Sequence, residues 1–135
     1  MGTMKTLCFL LLMLLAPAYA EDVKPTNVNI DFLCQQWTHS REEQQNDGVQ
    51  VYRPSTFKKF SPSRFRMQYL FAKDGTCKWM FLSPSDAHQL KDGKWKIDPA
   101  DDRVLQVEKG EMTESYRVIE LTNDLLKLKP VAAGK

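Results

Sequence analysis

The side chains best suited to catalysis are Ser83, Ser85, Asp86 and His88, which lie within six consecutive residues. In a hydrolase, Asp86 would orient His88, and His88 would remove the proton from one of the two serines. Residues this close in sequence rarely reach the geometry of a catalytic triad, whereas Ser85 and Asp86 are typical caps of a helical turn. We therefore predict no catalytic residue and a protein that is not an enzyme.

Metal and cofactor chemistry has little support in the sequence. The chain has two histidines, His39 and His88, and a metal site would need both of them together with a carboxylate. No cluster of cysteine and histidine has the spacing of metal ligands. No glycine-rich loop is present that could bind phosphate. We predict neither a metal nor a cofactor.

The charges favour no polyanionic partner. Without Lys5, the 19 basic residues become 18 against 17 acidic ones, a balance that predicts binding neither to nucleic acid nor to an anionic membrane. One local excess of positive charge could bind an anion or an acidic partner, although alternating charges on a solvent-facing surface are usually solvated, which is the interpretation we favour. This excess consists of Arg53, Lys58, Lys59, Arg64 and Arg66.

The first twenty residues differ in composition from the rest of the chain. Lys5 is followed by an apolar run from Leu7 to Leu15 and by the small-x-small sequence Ala18-Tyr19-Ala20. The run is too short to span a bilayer, so residues 1–20 are predicted to be a signal peptide cleaved after Ala20, and a retained N-terminal anchor is the alternative. The mature protein is expected to be secreted or periplasmic and not inserted into a membrane.

Two cysteines remain after removal of this segment, Cys34 and Cys77. An oxidising compartment favours a disulfide between them, and two buried free thiols are the alternative. If Leu33 and Trp37 face inward on a continuous strand, Cys34 faces outward while Cys77 faces inward. The disulfide therefore requires residues 31–35 to be helical or kinked.

The segment from Arg64 to Leu82 predicts a β-hairpin with one aromatic face. Apolar residues alternate with polar ones in its first half, as in a half-buried strand. A three-residue loop, Lys73-Asp74-Gly75, with Gly75 in the left-handed conformation, keeps the apolar side chains on one face. It pairs Phe71 with Cys77, Tyr69 with Trp79, and Met67 with Phe81.

The last hairpin follows the same rule. A loop at Thr122-Asn123-Asp124 turns one set of side chains inward, with Glu120 as the single inward charge. The apolar members of this set are Tyr116, Val118, Leu126 and Leu128.

About eight short strands and no long helix predict an all-β, eight-stranded antiparallel up-and-down barrel, and a sandwich is the alternative. A short helical turn is expected before the first strand, and Ser85 to Leu90 is expected to form another, ending at a turn at Asp92-Gly93. The predicted parts of the mature chain are a flexible arm at 21–29, the barrel at 30–130 and a disordered tail at 131–135.

Several short motifs, in order, resemble small secreted lipocalin-like (calycin) domains. Leu33-Cys-Gln-Gln-Trp37 is similar to the L-x-G-x-W opening of that family, with Gln35 where the family usually has glycine. The later motifs are Tyr69-x-Phe71 before Asp74-Gly75, Gly93-Lys-Trp95, and Tyr116 to Leu121 before Leu126-Lys-Leu128. The resemblance implies an eight-stranded barrel that binds a small apolar ligand or a protein partner, usually without catalysis.

The inward residues are too bulky to leave more than a small cavity, so a small apolar or aromatic ligand is expected at the barrel mouth. Phe57 and Phe60 form either a lid over the mouth or a plug in the barrel end. The alternative function is a protein-binding module, such as a protease inhibitor, that uses the arm at 21–29. The candidate ligand-binding residues are Phe57, Phe60, Phe65, Tyr69, Trp79, Trp95, Tyr116 and Glu120.

Overall fold

The computed structural model describes residues 28–62, 66–82 and 89–132. The predicted signal peptide, most of the arm, Phe65, the Ser83–His88 segment and the last three residues lie outside the described residues. The elements are helix α1 (Ile30–Leu33), a 3-10 turn (Arg41–Glu43) and strands β1 (Gln36–His39), β2 (Gln50–Pro54), β3 (Gln68–Phe71), β4 (Thr76–Phe81), β5 (Gln89–Asp98), β6 (Asp101–Lys109), β7 (Met112–Leu121) and β8 (Leu126–Pro130). The expected helical turn before the first strand is confirmed.

The eight strands close into a barrel in the order β1-β2-β8-β7-β6-β5-β4-β3, and every pair of neighbours is antiparallel. The predicted antiparallel barrel is therefore confirmed. Strands β3 to β8 run up and down around it. Strand β1 lies between β2 and β3, so the chain from β2 to β3 passes over the outer face of β1.

Hydrogen bonds fasten this crossover to β1. Ser55 donates its backbone N–H to the Gln36 carbonyl at 3.1 Å, and its hydroxyl lies 2.7 Å from that of Thr38. Further along, Arg66 donates to the His39 carbonyl at 2.6 Å. Thr38 points away from the barrel interior and is nevertheless buried. The crossover therefore covers the outer face of β1.

Two ion pairs tie the 3-10 turn to the same region. Arg53 contacts Glu43 at 2.7 Å and Arg66 contacts Glu42 at 2.6 Å. The hydrogen bonds from these arginines lower the pKa of each glutamate to about 2. The prediction that the basic residues of this stretch are merely solvated is thus wrong for Arg53 and Arg66. Both form ion pairs with glutamates of the 3-10 turn.

The central hairpin has the predicted register. Tyr69 pairs with Trp79 and Phe71 with Cys77. Gly75 has φ of 88°, the left-handed conformation that the three-residue loop requires. Met67 lies just before β3, so its predicted pairing with Phe81 is outside the strand ladder.

The last hairpin departs from the predicted register at its turn, because Leu121 pairs with Leu126 and the loop has four residues, 122–125, rather than the predicted three. Val118 still pairs with Leu128, but a bulge follows, and Glu120 pairs with Lys127. The bulge turns Glu120 outward, where its carboxylate lies 3.4 Å from the Lys127 ammonium. The prediction of an inward Glu120 is therefore wrong.

The expected turn at Asp92-Gly93 is also wrong, because β5 runs through both residues and pairs Gly93 with Cys77. A Cβ on Gly93 would lie 2.4 Å from the Glu108 carbonyl oxygen and 3.1 Å from Cδ1 of Trp79. Glycine is needed here because β6 and the Trp79 ring approach its backbone closely.

Large side chains fill the barrel interior. Trp37 is fully buried and donates its indole N–H to the Leu33 carbonyl at 2.9 Å, which joins α1 to the core. Trp95 packs edge-on against Phe71 and donates to the Ala72 carbonyl at 2.8 Å. The core comprises Leu33, Trp37, Tyr52, Tyr69, Phe71, Cys77, Trp95, Leu105, Val107, Tyr116, Leu126 and Leu128. The end that holds α1 is thus packed, and we call the opposite end, which carries the β6–β7 turn, the mouth.

We predict that Gly93→Ala lowers the free energy of unfolding by about 3 kcal/mol, because the added Cβ meets backbone that cannot move aside. Gly110→Ala is the control. Gly110 has φ of 64° and nothing within 4 Å of its added Cβ, so only backbone strain of about 1 kcal/mol applies. Urea denaturation of both variants measures the difference, and equal losses would contradict the close-approach argument.

A second prediction concerns acid stability. The folded pKa of Glu43 is about 2, below the ordinary value of 4.5, so its contribution is complete above pH 4.5 and is lost as the pH falls through 2. In Arg53→Met the glutamate loses its main partner, and stability should depend less on pH between 4.5 and 2. Thermal unfolding across this range tests the prediction, with Lys78→Met, which removes an exposed ion pair, as the control. An unchanged slope in Arg53→Met would contradict it.

Candidate functional site

A cavity of about 330 Å³ opens at the barrel mouth. It lies above the packed core and is lined by three tyrosine rings, two apolar side chains and several polar ones. The lining residues are His39, Arg41, Gln50, Tyr52, Met67, Tyr69, Leu82, Lys109 and Tyr116.

Strand alternation places the polar groups of this cavity. Lys109 ends β6 on the same face as Leu105 and Val107, which are fully buried. On β7, Glu114 shares the inward face with Tyr116. Because side chains at every second position point the same way, these charges must lie where the apolar interior meets the mouth.

Lys109 is the centre of a hydrogen-bond network. Its ammonium donates to the Tyr69 hydroxyl at 2.6 Å, the Glu114 carboxylate at 2.7 Å and the Tyr116 hydroxyl at 3.3 Å. Tyr116 also donates to Glu114, and the two tyrosine hydroxyls lie 3.2 Å apart. We call these four residues, Tyr69, Lys109, Glu114 and Tyr116, the mouth network.

Aromatic rings surround the Lys109 ammonium. It lies 4.9 Å from the centre of the Tyr69 ring and 5.7 Å from the centres of the Trp79 and Tyr116 rings, within the range of cation–π attraction. Its side chain is only 10% exposed, whereas that of Glu114 is 37% exposed. The indole N–H of Trp79 is buried and has no hydrogen-bond partner among the described residues.

Burial and pairing shift the pKa values of the network. Burial lowers the pKa of Lys109 despite the opposing effect of Glu114. For Glu114, burial acts to raise the pKa, but the hydrogen bonds from Lys109 and Tyr116 and the Lys109 charge outweigh it, so the pKa is lowered. Burial raises the pKa of Tyr69 and Tyr116. The phenols are therefore neutral at physiological pH, and the carboxylate is charged.

His39 and Tyr52 form the opposite wall. Their ring centres are 5.1 Å apart, and the Tyr52 hydroxyl donates to Gln50 at 2.9 Å. The His39 Nε2 atom lies 2.7 Å from Oε1 of Gln44. Burial lowers the pKa of His39, so its ring is uncharged at neutral pH.

The predicted ligand-binding residues have different locations. Tyr69 and Tyr116 line the cavity, and Trp79 lies beside Lys109. Trp95 is deeper, in the core. Glu120 is on the outside of the barrel, and Phe65 lies outside the described residues.

Phe57 and Phe60 lie on the crossover rather than at the mouth cavity. Phe57 is 46% exposed, and the Arg53 guanidinium lies 4.5 Å from the centre of its ring. Phe60 lines a separate groove of about 450 Å³ on the outer face of β1, with Thr38 and Arg66 among its other lining residues. Neither aromatic is therefore positioned as a lid over the cavity or as a plug within it.

The sequence interpretation missed Lys109, Glu114 and Tyr52. The signal for the first two was available, because Lys109 continues the inward alternation of Leu105 and Val107, and Glu114 precedes Tyr116 by two residues. Tyr52 lies in a short strand whose pairing with β8 is not visible from local sequence.

Cys34 and Cys77 are separate thiols in the structure, so the predicted disulfide is not confirmed. Cys34 is the C-cap residue of α1, so the helical turn that the disulfide would require before β1 is present. Cys77 is buried on the inward face of β4, and burial raises its pKa to about 11. Burial raises the pKa of Cys34 as well.

Within the described part of the chain, His, Cys, Asp and Glu side chains form no group of three or more that could hold a metal ion. In the same residues, no helix has the length and apolar character needed to cross a membrane.

No protein-family model, curated protein or solved structure matches this chain. The structure is consistent with a calycin-like fold because it is a closed, eight-stranded antiparallel barrel. The narrower lipocalin-like resemblance is carried by the short sequence motifs.

The two charges of the mouth network should differ in their effect on stability. Glu114→Gln leaves the Lys109 ammonium largely buried without a counter-charge, which should cost about 2 kcal/mol. Lys109→Met leaves the more exposed Glu114 able to hydrate and should cost less than about 1 kcal/mol. Chemical denaturation at pH 7 compares the variants, and a larger loss in Lys109→Met would contradict this assignment.

Proposed function

We propose that the protein is a secreted or periplasmic, non-catalytic, lipocalin-like binding protein that takes a small apolar or aromatic ligand at the barrel mouth. The observation that supports this most directly is the open cavity above a filled core. Ligand sites combine a mostly apolar, preformed wall with a few fixed polar groups. Met67, Leu82 and the tyrosine rings supply the wall, and the mouth network supplies the polar groups.

The volume limits the size of the ligand. About 330 Å³ is near the lower end of the range of ligand sites, roughly 300 to 1,000 Å³. Phe71 belongs to the packed core and stacks against the cavity-lining Tyr69, with ring centres 5.4 Å apart. A molecule of one or two rings fits this description better than a long acyl chain.

The polar groups of the cavity are suited to orienting a ligand. The Tyr69, Lys109 and Tyr116 groups already satisfy one another, so they are held in place before a ligand arrives. Such preorganisation reduces the entropic cost of binding.

The alternative is a protein partner bound through residues 21–29, of which the structure describes Val28 and Asn29. Asn29 caps α1, its side chain accepting the backbone N–H of Asp31 at 3.0 Å, and Val28 packs against the core. Both residues have structural roles, so a test of the arm should remove only residues 21–27.

Two neighbouring residues provide a matched test of the binding site. Met67 lines the mouth cavity, whereas Gln68 lines the outer groove. Met67→Glu places a charge against an apolar ligand and should weaken binding at least about tenfold, or about 1.4 kcal/mol. Gln68→Glu adds the same charge outside the cavity and should leave affinity unchanged.

Binding is measured by tryptophan fluorescence on titration with a panel of small aromatic compounds, because Trp79 lies beside the cavity. A panel that leaves the emission of the wild-type protein unchanged would argue against the proposed function. Equal weakening by the two substitutions would place the ligand elsewhere.

A further inference from the structure

The position of Lys109 suggests more than non-covalent binding. It is a primary amine in the wall of an open cavity, with its side chain largely buried. In contrast, Lys78 forms an ion pair of the same 2.7 Å length with Asp92 on the outside of the barrel, where its side chain is 49% exposed. The two lysines have the same type of partner and differ in their access to a bound ligand.

Resting on the function proposed above, we propose that Lys109 forms a reversible imine with a small ligand that carries an aldehyde or ketone group. A carbonyl compound seated in the cavity would lie against the Lys109 amine, flanked by the rings of Tyr69 and Tyr116. Holding the two reactants together makes the addition effectively intramolecular.

The neighbours of Lys109 can move the protons that this reaction requires. Glu114 accepts a hydrogen bond from the ammonium at 2.7 Å, and Tyr116 contacts both residues. Loss of a proton to Glu114 would free the nitrogen lone pair for attack. Burial also lowers the pKa of Lys109, which increases the fraction of free amine.

The atoms and charges of the step balance. The Lys109 nitrogen forms a bond to the carbonyl carbon, and the carbonyl oxygen takes up the proton held by Glu114, giving a carbinolamine. The C–O bond then breaks, and the hydroxyl leaves as water with a second proton from nitrogen, relayed through Glu114 or Tyr116. A carbon–nitrogen double bond remains. The third proton of the original ammonium stays on nitrogen, so the product is an iminium, and one carbonyl and one ammonium have been converted to one iminium and one water.

The structure also accounts for the charge of the product. The iminium carries the same positive charge as the original ammonium, so Glu114 remains its counter-ion. The rings of Tyr69, Trp79 and Tyr116 lie around the cation in either state. The product therefore introduces no uncompensated charge into the barrel.

The test uses benzaldehyde, which is small enough for the cavity, with cyanoborohydride to reduce any imine to a stable secondary amine. Intact mass and peptide mapping then report which lysines react and how fast. We expect one dominant adduct at Lys109, formed at least about tenfold faster than at any other lysine, because the bound aldehyde reacts within the complex. Lys109→Arg should remove this adduct, and Lys78→Arg should leave it unchanged.

Mapping of the wild-type protein alone can overturn the proposal, so the result does not depend on the folding of a variant. Labelling of Lys109 no faster than that of the exposed lysines would refute the imine. Benzyl alcohol, which has the same ring but no carbonyl, is titrated in parallel by fluorescence. Alcohol binding without a Lys109 adduct would refute only the imine, whereas failure of both compounds to bind or react would count against the cavity function as well.

Discussion

Closure of the barrel depends on the pairing of β1 along both of its edges. This strand has four residues, yet it bonds to β2 on one side and β3 on the other. Without it, two strand edges with unpaired backbone groups would face solvent. The crossover from β2 to β3 covers the outer face of β1, and Trp37 fills the inner side. The packed end of the barrel lies where β1 begins, next to α1, and the mouth lies where β1 ends, at His39.

The ion pairs of Arg53 and Arg66 belong to the same constraint. The 3-10 turn follows β1 in the chain. Arg53 holds this turn against β2, and Arg66 holds it against the crossover. Isolated surface ion pairs contribute little to stability, but these two arginines also donate to backbone carbonyls of Asp124 and His39. Their main effect is to fix the path of connections that have little regular structure.

Local sequence predicted the parts of the fold that depend on neighbouring residues. The register of the β3–β4 hairpin follows from Gly75 and from the need to keep Lys78 off the aromatic face, and both features were predictable from the local sequence. The position of β1 was not, because its pairing with β3 joins residues more than thirty positions apart, such as Trp37 and Tyr69. The bulge that turned Glu120 outward was likewise invisible, since a one-residue irregularity leaves no distinct pattern in a run of alternating residues.

The candidate site was likewise only partly predictable from the sequence. Tyr69 and Tyr116 were predictable because they continue an apolar face, whereas Lys109 and Glu114 were not, because charged residues near strand ends are usually solvated. Their strand positions point them inward, and each supplies the opposite charge that lowers the free-energy cost of burying the other. A cation at the end of an aromatic interior is costly unless it is paired and hydrogen-bonded. Pairing therefore explains how the barrel can keep an amine at the boundary between its packed core and the open cavity, the location where a bound ligand would meet it.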